Sequence, residues 1–285
     1  MAHSESLKQS TPPGEASRVS SLLTRGVGRL ARWLYPSIAL IVILVLWESL
    51  VRIGNIQKFV LPAPTDVIKA GIGSYDILLS NTPPTIAAII AGFCLAALVA
   101  IPTAVAMCAI RVIEQGVYPL LIASQGIPKV ALAPVLIVWF GFGFAPKVFM
   151  AMLIAFFPIV INTVVGIRSI DPNYIHLARS MGASRWNIYT RLLLPSALPQ
   201  IFAGLNVAMA LAIVGAIVGE MVGANSGLGY LLVVANGNLD MSLVFAVLLW
   251  LALVSLLLVG FVDLAEGILM PWNRNSRSRA LARAN

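Results

Sequence analysis

Long apolar runs separated by short polar stretches set the pattern of this 285-residue chain. An apolar helix of about 20 residues spans the roughly 30 Å hydrocarbon layer of a bilayer. The runs partition best into six spans, at roughly 34–52, 83–110, 115–140, 146–166, 197–222 and 241–269. Gly126-Ile127-Pro128-Lys129 interrupts the third, and Gly141-Phe142-Gly143 separates the third from the fourth. Residues 60–80 are amphipathic and too polar to cross, so they are expected along the membrane surface. The pattern predicts an all-α polytopic membrane protein whose embedded domain covers 33–270. Residues 1–32 read as a mostly disordered tail and 271–285 as a second, basic tail.

Composition supports this reading. Hydrophobic residues make up 59% of the chain and charged ones 11%, with a mean hydropathy of +0.93. A soluble domain carries about 25% charged residues. The net charge of +8 would suit nucleic acid, but no dense basic run with interleaved aromatics occurs. The basic residues instead mark one side of a membrane. With the N-terminal tail in the cytoplasm, that side holds Lys8, Arg18, Arg25, Arg29, Arg32, Arg111, Arg168, Arg179, Arg185, Arg191, Arg274, Arg277, Arg279 and Arg283. The opposite side holds Arg52, Lys58, Lys69 and Lys147, and Lys129 falls within a span. Such a bias places both termini in the cytoplasm. No A-x-A-like cleavage site follows the first span, which is therefore expected to be retained. Cys94 and Cys108 share one apolar stretch and offer neither a disulfide framework nor a metal site.

One polar island breaks the apolar pattern, between the fourth and fifth spans. Asp171-Pro172 supplies a capping acceptor followed by proline at the first helical position. Tyr174, Leu177, Ala178 and Met181 then recur at i, i+3, i+4 and i+7, one apolar stripe on a short helix. Gly182 can adopt the left-handed conformation that stops it. Ser184 can cap a second helix with Trp186, Tyr189 and Leu193 on one side, which Pro195 is expected to break. The result is a helical elbow with an apolar stripe and basic flanks. Periodicity alone leaves lipid headgroups and another protein as alternative partners of the stripe.

The segment resembles the EAA loop of ABC importer permeases, whose pattern is Glu-Ala-Ala, three residues, Gly, nine residues, Ile-x-Leu-Pro. Here it falls on His176-Leu177-Ala178, Gly182 and Leu192-Leu193-Leu194-Pro195, with both spacings kept. His176, Leu177 and Leu192 depart from the family's Glu, Ala and Ile. The likeness extends to LPAPTDV at 61–67, IPKVALAPVLIVWFGFG at 127–143, FFPIVINTVVGIRSIDP at 156–172 and ANSGLGYL at 224–231. These segments are similar to the branch that imports nitrate, sulfonates, taurine, bicarbonate, or pyrimidine and related thiamine precursors. The resemblance implies a type I importer permease fold in a bacterial inner membrane. It also implies that the loop 171–195, with Ala183, Arg185 and Leu194 beside the residues above, is a cytoplasmic coupling helix seated in a separate ATPase. Its further implications are two ATPase subunits, a second permease copy, and an external substrate-binding protein. ATP and magnesium would sit on the ATPase, and this chain would bind no cofactor.

The motifs that are missing fit that division of labour. No G-x-x-x-x-G-K-[ST] loop occurs, and Gly26-Val27-Gly28 lacks the third glycine and the preceding strand of a nucleotide fingerprint. His3 and His176 are the only histidines, too few for a credible catalytic set. The chain is therefore expected not to be an enzyme.

Candidate pathway residues are the ionisable groups at membrane depth, Lys129 after Pro128 and Glu220 near the outer end of the fifth span. For Lys129 the alternative is an interfacial or snorkelling role, and for Glu220 a helix-end position at the outer interface. Gly215, Gly219 and Gly223, with a second row of Gly204, Ala208, Ala212 and Ala216, would let helix backbones approach closely, within the subunit or between copies. Aromatics from Trp139 to Phe157 cluster around the third and fourth spans, where one or two could face a planar ligand. The competing function is an autonomous secondary transporter or channel, which usually carries inverted repeats, and none is evident between the halves. A membrane-embedded enzyme is the remote third reading.

Overall fold

A computed structural model describes residue 35 and residues 37–271, and both polar tails lie outside this range except for Pro271. Helix α1 occupies 37–53. It is followed by α2 (Pro64–Gly73), α3 (Tyr75–Ala109), α4 (Arg111–Gln125), a short 3₁₀ turn (Lys129–Leu132) and α5 (Ala133–Phe140). Next come α6 (Phe144–Arg168), α7 (Pro172–Ser180), α8 (Arg185–Ile188), a π turn (Tyr189–Leu193) and α9 (Leu194–Gly223). The series ends with α10 (Leu228–Gly237) and α11 (Met241–Leu269).

Four helical stretches among the described residues are long and apolar enough to cross a membrane: Tyr75–Ala109, Phe144–Arg168, Arg185–Gly223 and Met241–Leu269. A fifth is a bent pair, Arg111–Gln125 with Lys129–Phe140, turned by 92° at the break. The Gly-Ile-Pro-Lys interruption lies at that break, and Gly141 (φ +75°) and Gly143 (φ +133°) make the turn into α6. The remaining expected span, 34–52, corresponds to α1, and residues 34 and 36 of it lie outside the described residues.

Three boundaries differ from expectation. Residues 60–80 form no single surface segment: α2 packs against α11 with Val67 buried, and α3 already begins at Tyr75. Pro83 and Pro84 lie inside α3, where they were expected near its start. Hydroxyl and amide donors brace the neighbouring turns: Ser80 and Asn81 donate to the Ile77 carbonyl and Thr82 to that of Leu78. Pro195 likewise breaks nothing. It sits in the first turn of α9, and the π turn before it absorbs the hydrogen bond that proline cannot donate.

The core lies where α6 packs between α3 and α9. Fully buried alanines line it: Ala88, Ala96, Ala100 and Ala104 of α3, Ala151 and Ala155 of α6, and Ala208, Ala212 and Ala216 of α9. Lipid is as apolar as these side chains, so hydrophobicity cannot press the helices together, whereas close backbone packing can. The α6–α9 seam is antiparallel. A Cβ on Gly204 would lie 2.7 Å from Asn162 Cβ, one on Gly215 2.7 Å from Ala151 Cα, and one on Gly219 2.8 Å from Lys147 Cα. Gly223 instead faces Ile137 of α5, 2.4 Å from such an atom. The glycine row thus packs within the subunit.

Candidate functional site

The elbow forms from the local signals in its sequence. The Asp171 carboxylate accepts from Asn173 N–H at 2.9 Å and starts α7. Gly182 ends it at φ +80°, with Gly182 N–H donating to the Arg179 carbonyl and Ala183 N–H to that of Ala178. This pair of bonds is the Schellman motif. Ser184 Oγ then accepts from Asn187 N–H at 3.2 Å and starts α8.

Two faces of the elbow differ sharply. Ile188 and Leu193 are buried beside Ile167, Ala197 and Ile201, with Ile175, Ala178 and Ala183 packed around them. Tyr189 turns inward and donates its hydroxyl to the Cys108 carbonyl at 2.8 Å, tying the elbow to the end of α3. The opposite face is open. Tyr174 is 60% exposed, Leu177 58%, Met181 79% and Trp186 75%. Such values describe apolar side chains left largely uncovered by the described residues. His176 and Arg185 are exposed beside them, Leu194 is half-buried, and Pro195 is exposed. Trp186 does not share the face of Tyr189 and Leu193 as an unbroken α-helix would require. A turn closed i→i+5 puts Ile188 and Leu193 on the inner side instead.

A second constellation lies at the other end of the bundle. Lys147 and Glu220 form an ion pair at 3.4 Å whose side chains are only 4% and 0% exposed. The Glu220 carboxylate also accepts from the Thr85 hydroxyl at 3.0 Å and from Gly229 N–H at 2.8 Å. Lys147 donates to the Ser226 carbonyl at 2.8 Å, and Thr85 Oγ1 accepts from Leu228 N–H. Asn81 Oδ1 accepts from Gly227 N–H at 2.9 Å. One knot therefore joins α3, α6, α9 and segment 224–229, the loop that leads into α10 and its first residues. Glycine is required there: a Cβ on Gly227, which has φ +116°, would lie 2.1 Å from Glu220 Oε1, and one on Gly229 2.8 Å from Glu220 Cβ.

This corrects two readings. Glu220 sits in the last turn of α9, but it is enclosed by protein and not exposed at an interface. Lys147, counted with the basic residues of the outer side, is buried inside the bundle. The missed partners are Lys147, Thr85 and Asn81. The usable signal was the ANSGLGYL segment, whose two glycines demand a close neighbour. The structure does not pair Glu220 with Lys129. Lys129 lies half-buried at the α4–α5 bend, its Nζ 4.9 Å from the centre of the Phe157 ring.

A bundle of bilayer-length helices, with one polar elbow held on a rigid core and left apolar on its outer face, defines a membrane subunit built to work with another protein. The family model of the binding-protein-dependent transport system inner membrane component matches residues 92–275. The chain is 37% identical over 242 residues to the formylaminopyrimidine transport permease protein ThiX of Halalkalibacterium halodurans, covering 85% of this chain and 96% of that one. It is 41% identical over 254 residues to the riboflavin transport system permease protein RibX of Chloroflexus aurantiacus, covering 86% and 94%. Permeases named for aliphatic sulfonates in Bacillus subtilis and for taurine in Escherichia coli match at 31% and 26%. A chain in inward-facing structures of the MetNI methionine ABC transporter shares the fold, with a TM-score of 0.59 and 20% identity over 67% of this chain and 95% of that one. The chain belongs to this family and is the membrane subunit of an ABC importer, with the type I permease fold. Its family's systems work with an ATPase and a substrate-binding protein.

Proposed function

We propose that this chain forms the substrate pathway as one of two identical copies, and that an ATPase on separate chains drives it by gripping the elbow at 171–195. In this reading both termini and the elbow face the cytoplasm, and the knot around Glu220 faces outward, where a binding protein delivers the solute. The distribution of Lys and Arg supports that orientation. ATP and magnesium belong to the ATPase, consistent with a sequence that carries no phosphate-cradling loop.

The observation that carries the proposal is the elbow's division into two faces. Its inner face is locked to α3, α6 and α9, while Tyr174, Leu177 and Met181 stand exposed around a shallow hollow of about 350 Å³, with Trp186 exposed on the same elbow. An ATPase that moves this handle moves the bundle with it. Alternating access follows: nucleotide binding draws two ATPase subunits together and the coupled helices open the pathway outward.

Among solutes, a planar nitrogen heterocycle is the class we favour over a compact anion. The permeases named for formylaminopyrimidine and riboflavin match at higher identity than those named for sulfonates over most of this chain or for taurine. Coexpression with an ATPase and binding protein, followed by uptake into proteoliposomes, tests the assignment. ATP-dependent accumulation that stops when the ATPase is omitted is expected. Accumulation against a gradient without it would overturn the assignment.

A further inference from the structure

A cavity of about 440 Å³ opens between α4 and α6, walled by Tyr118, Ile122 and Gln125 on one helix and Phe157, Ile161 and Arg168 on the other. Glu114, Tyr118 and Gln125 follow one another at i, i+4 and i+11, so one face of α4 presents a carboxylate, a phenol and an amide. On α6, Phe157, Ile161, Val164 and Arg168 run at i, i+4, i+7 and i+11. The space is within the 300–1,000 Å³ range of small-molecule sites, which are mostly apolar with a few polar groups. It adjoins the broken span, whose Lys129 lies over the Phe157 ring. Non-helical backbone at membrane depth is tolerated where it is buried in protein or lines a cavity.

Arg168 is bonded to Glu114 at the elbow end of this space. The two ion pairs at opposite ends of α6 differ in kind. Lys147–Glu220 is buried and closed on all sides, whereas the side chains of Arg168 and Glu114 are 47% and 38% exposed. Solvent-exposed pairs add little to stability, so this one can part readily. Arg168 also precedes the elbow's cap, Asp171, by three residues, so movement of the elbow moves it directly.

We propose that the α4–α6 cavity holds the transported solute on its way to the cytoplasm, that it takes a planar heteroaromatic ring with polar edges, and that the Arg168–Glu114 pair closes its cytoplasmic end. The proposal rests on the orientation and solute class argued above. Its chemistry is that of the walls: aromatic and aliphatic faces for a ring, with hydroxyl, amide and guanidinium groups for its edges. Among the described residues the cation lining the cavity is Arg168, and the Glu114 carboxylate beside it makes a compact anion the poorer fit.

The test uses the full transporter, with its ATPase and binding protein, in vesicles, after Cys94 and Cys108 are replaced by Ala. Ile161→Cys and Ile122→Cys are introduced separately, one on each wall, so that failure of one variant to assemble leaves the other. A water-soluble maleimide should modify both in the nucleotide-free transporter. Riboflavin or a formylaminopyrimidine should slow that reaction several-fold, and taurine should not. Glu114→Gln should speed labelling from the cytoplasmic side several-fold, and the exchanged pair Glu114→Arg with Arg168→Glu should restore the slower rate. Unreactive cysteines in a transporter that still hydrolyses ATP would overturn the proposal, since a second copy or lipid then fills the space. Protection by taurine alone, or by none of the three probes, would overturn it as well. A labelling rate unmoved by Glu114→Gln would remove the closure. All these outcomes are read with ATPase coupling intact, so they leave the assignment of the chain as an importer subunit standing.

Discussion

At the residue scale, the decisive fact is how completely the charge on Glu220 is matched. A carboxylate at this depth is tolerated because Lys147, Thr85 and Gly229 N–H surround it. Removing one member of a buried pair strands the other, a loss of about 3–5 kcal/mol. Lys147→Met is therefore expected to lower the melting temperature of the detergent-solubilised complex sharply. The double variant Lys147→Met with Glu220→Leu should recover much of the loss, because no charge is then left buried. A double variant no better than the single one would show that the ion pair is not what holds segment 224–229. Gly227→Ala should be as damaging as Lys147→Met, since its Cβ would fall inside the carboxylate. None of these partners could be assigned from the sequence with certainty. Lys147 and Glu220 are 73 positions apart, and only the packing of α6 on α9 brings them together.

The elements show which physics a sequence displays and which it conceals. Caps and stops depend on neighbours in the chain, so Asp171-Pro172, Gly182 and Ser184 could be read directly. The π turn could not, because it answers to Pro195 and to the demand that Ile188 and Leu193 both face the core. The early start of α3 was concealed for a similar reason: prolines signal a boundary unless neighbouring side chains brace the helix, as those of Ser80, Asn81 and Thr82 do here. The short helix α10 has too few residues to show as a span and was not foreseen. One prediction belongs at this scale. A Cβ at Gly182 would meet nothing within 4 Å, so its requirement is conformational and not steric. Left-handed backbone costs most residues about 1–2 kcal/mol, β-branched ones more, and asparagine least. Gly182→Val should therefore uncouple ATP hydrolysis from uptake, while Gly182→Asn should retain most transport. Equal activity of both variants would contradict a rigid elbow.

For the whole molecule, the fold class was plain in the hydropathy, whereas the relation between helices had to come from packing. The bundle is built around one seam, α6 against α9, with a closed knot at one end and the elbow at the other. The glycine row spends itself inside the subunit, Gly215 and Gly219 in that seam and Gly223 against α5, so a second copy must use other surfaces. The α4–α5 segment is the candidate, with no buried residue in α4 and with Val138 and Trp139 of α5 83% and 72% exposed. Native mass spectrometry of the purified complex should record two permease and two ATPase chains, and Trp139→Glu should reduce that assembly. A single permease chain in an active complex would contradict the homodimer. The central claim, that the elbow is gripped by a protein and not merely rested on lipid, is tested most directly by a benzophenone amino acid placed at Met181. On irradiation of the active transporter in membranes, the account predicts a covalent adduct with the ATPase chain. Adducts with lipid alone, at full transport activity, would contradict it.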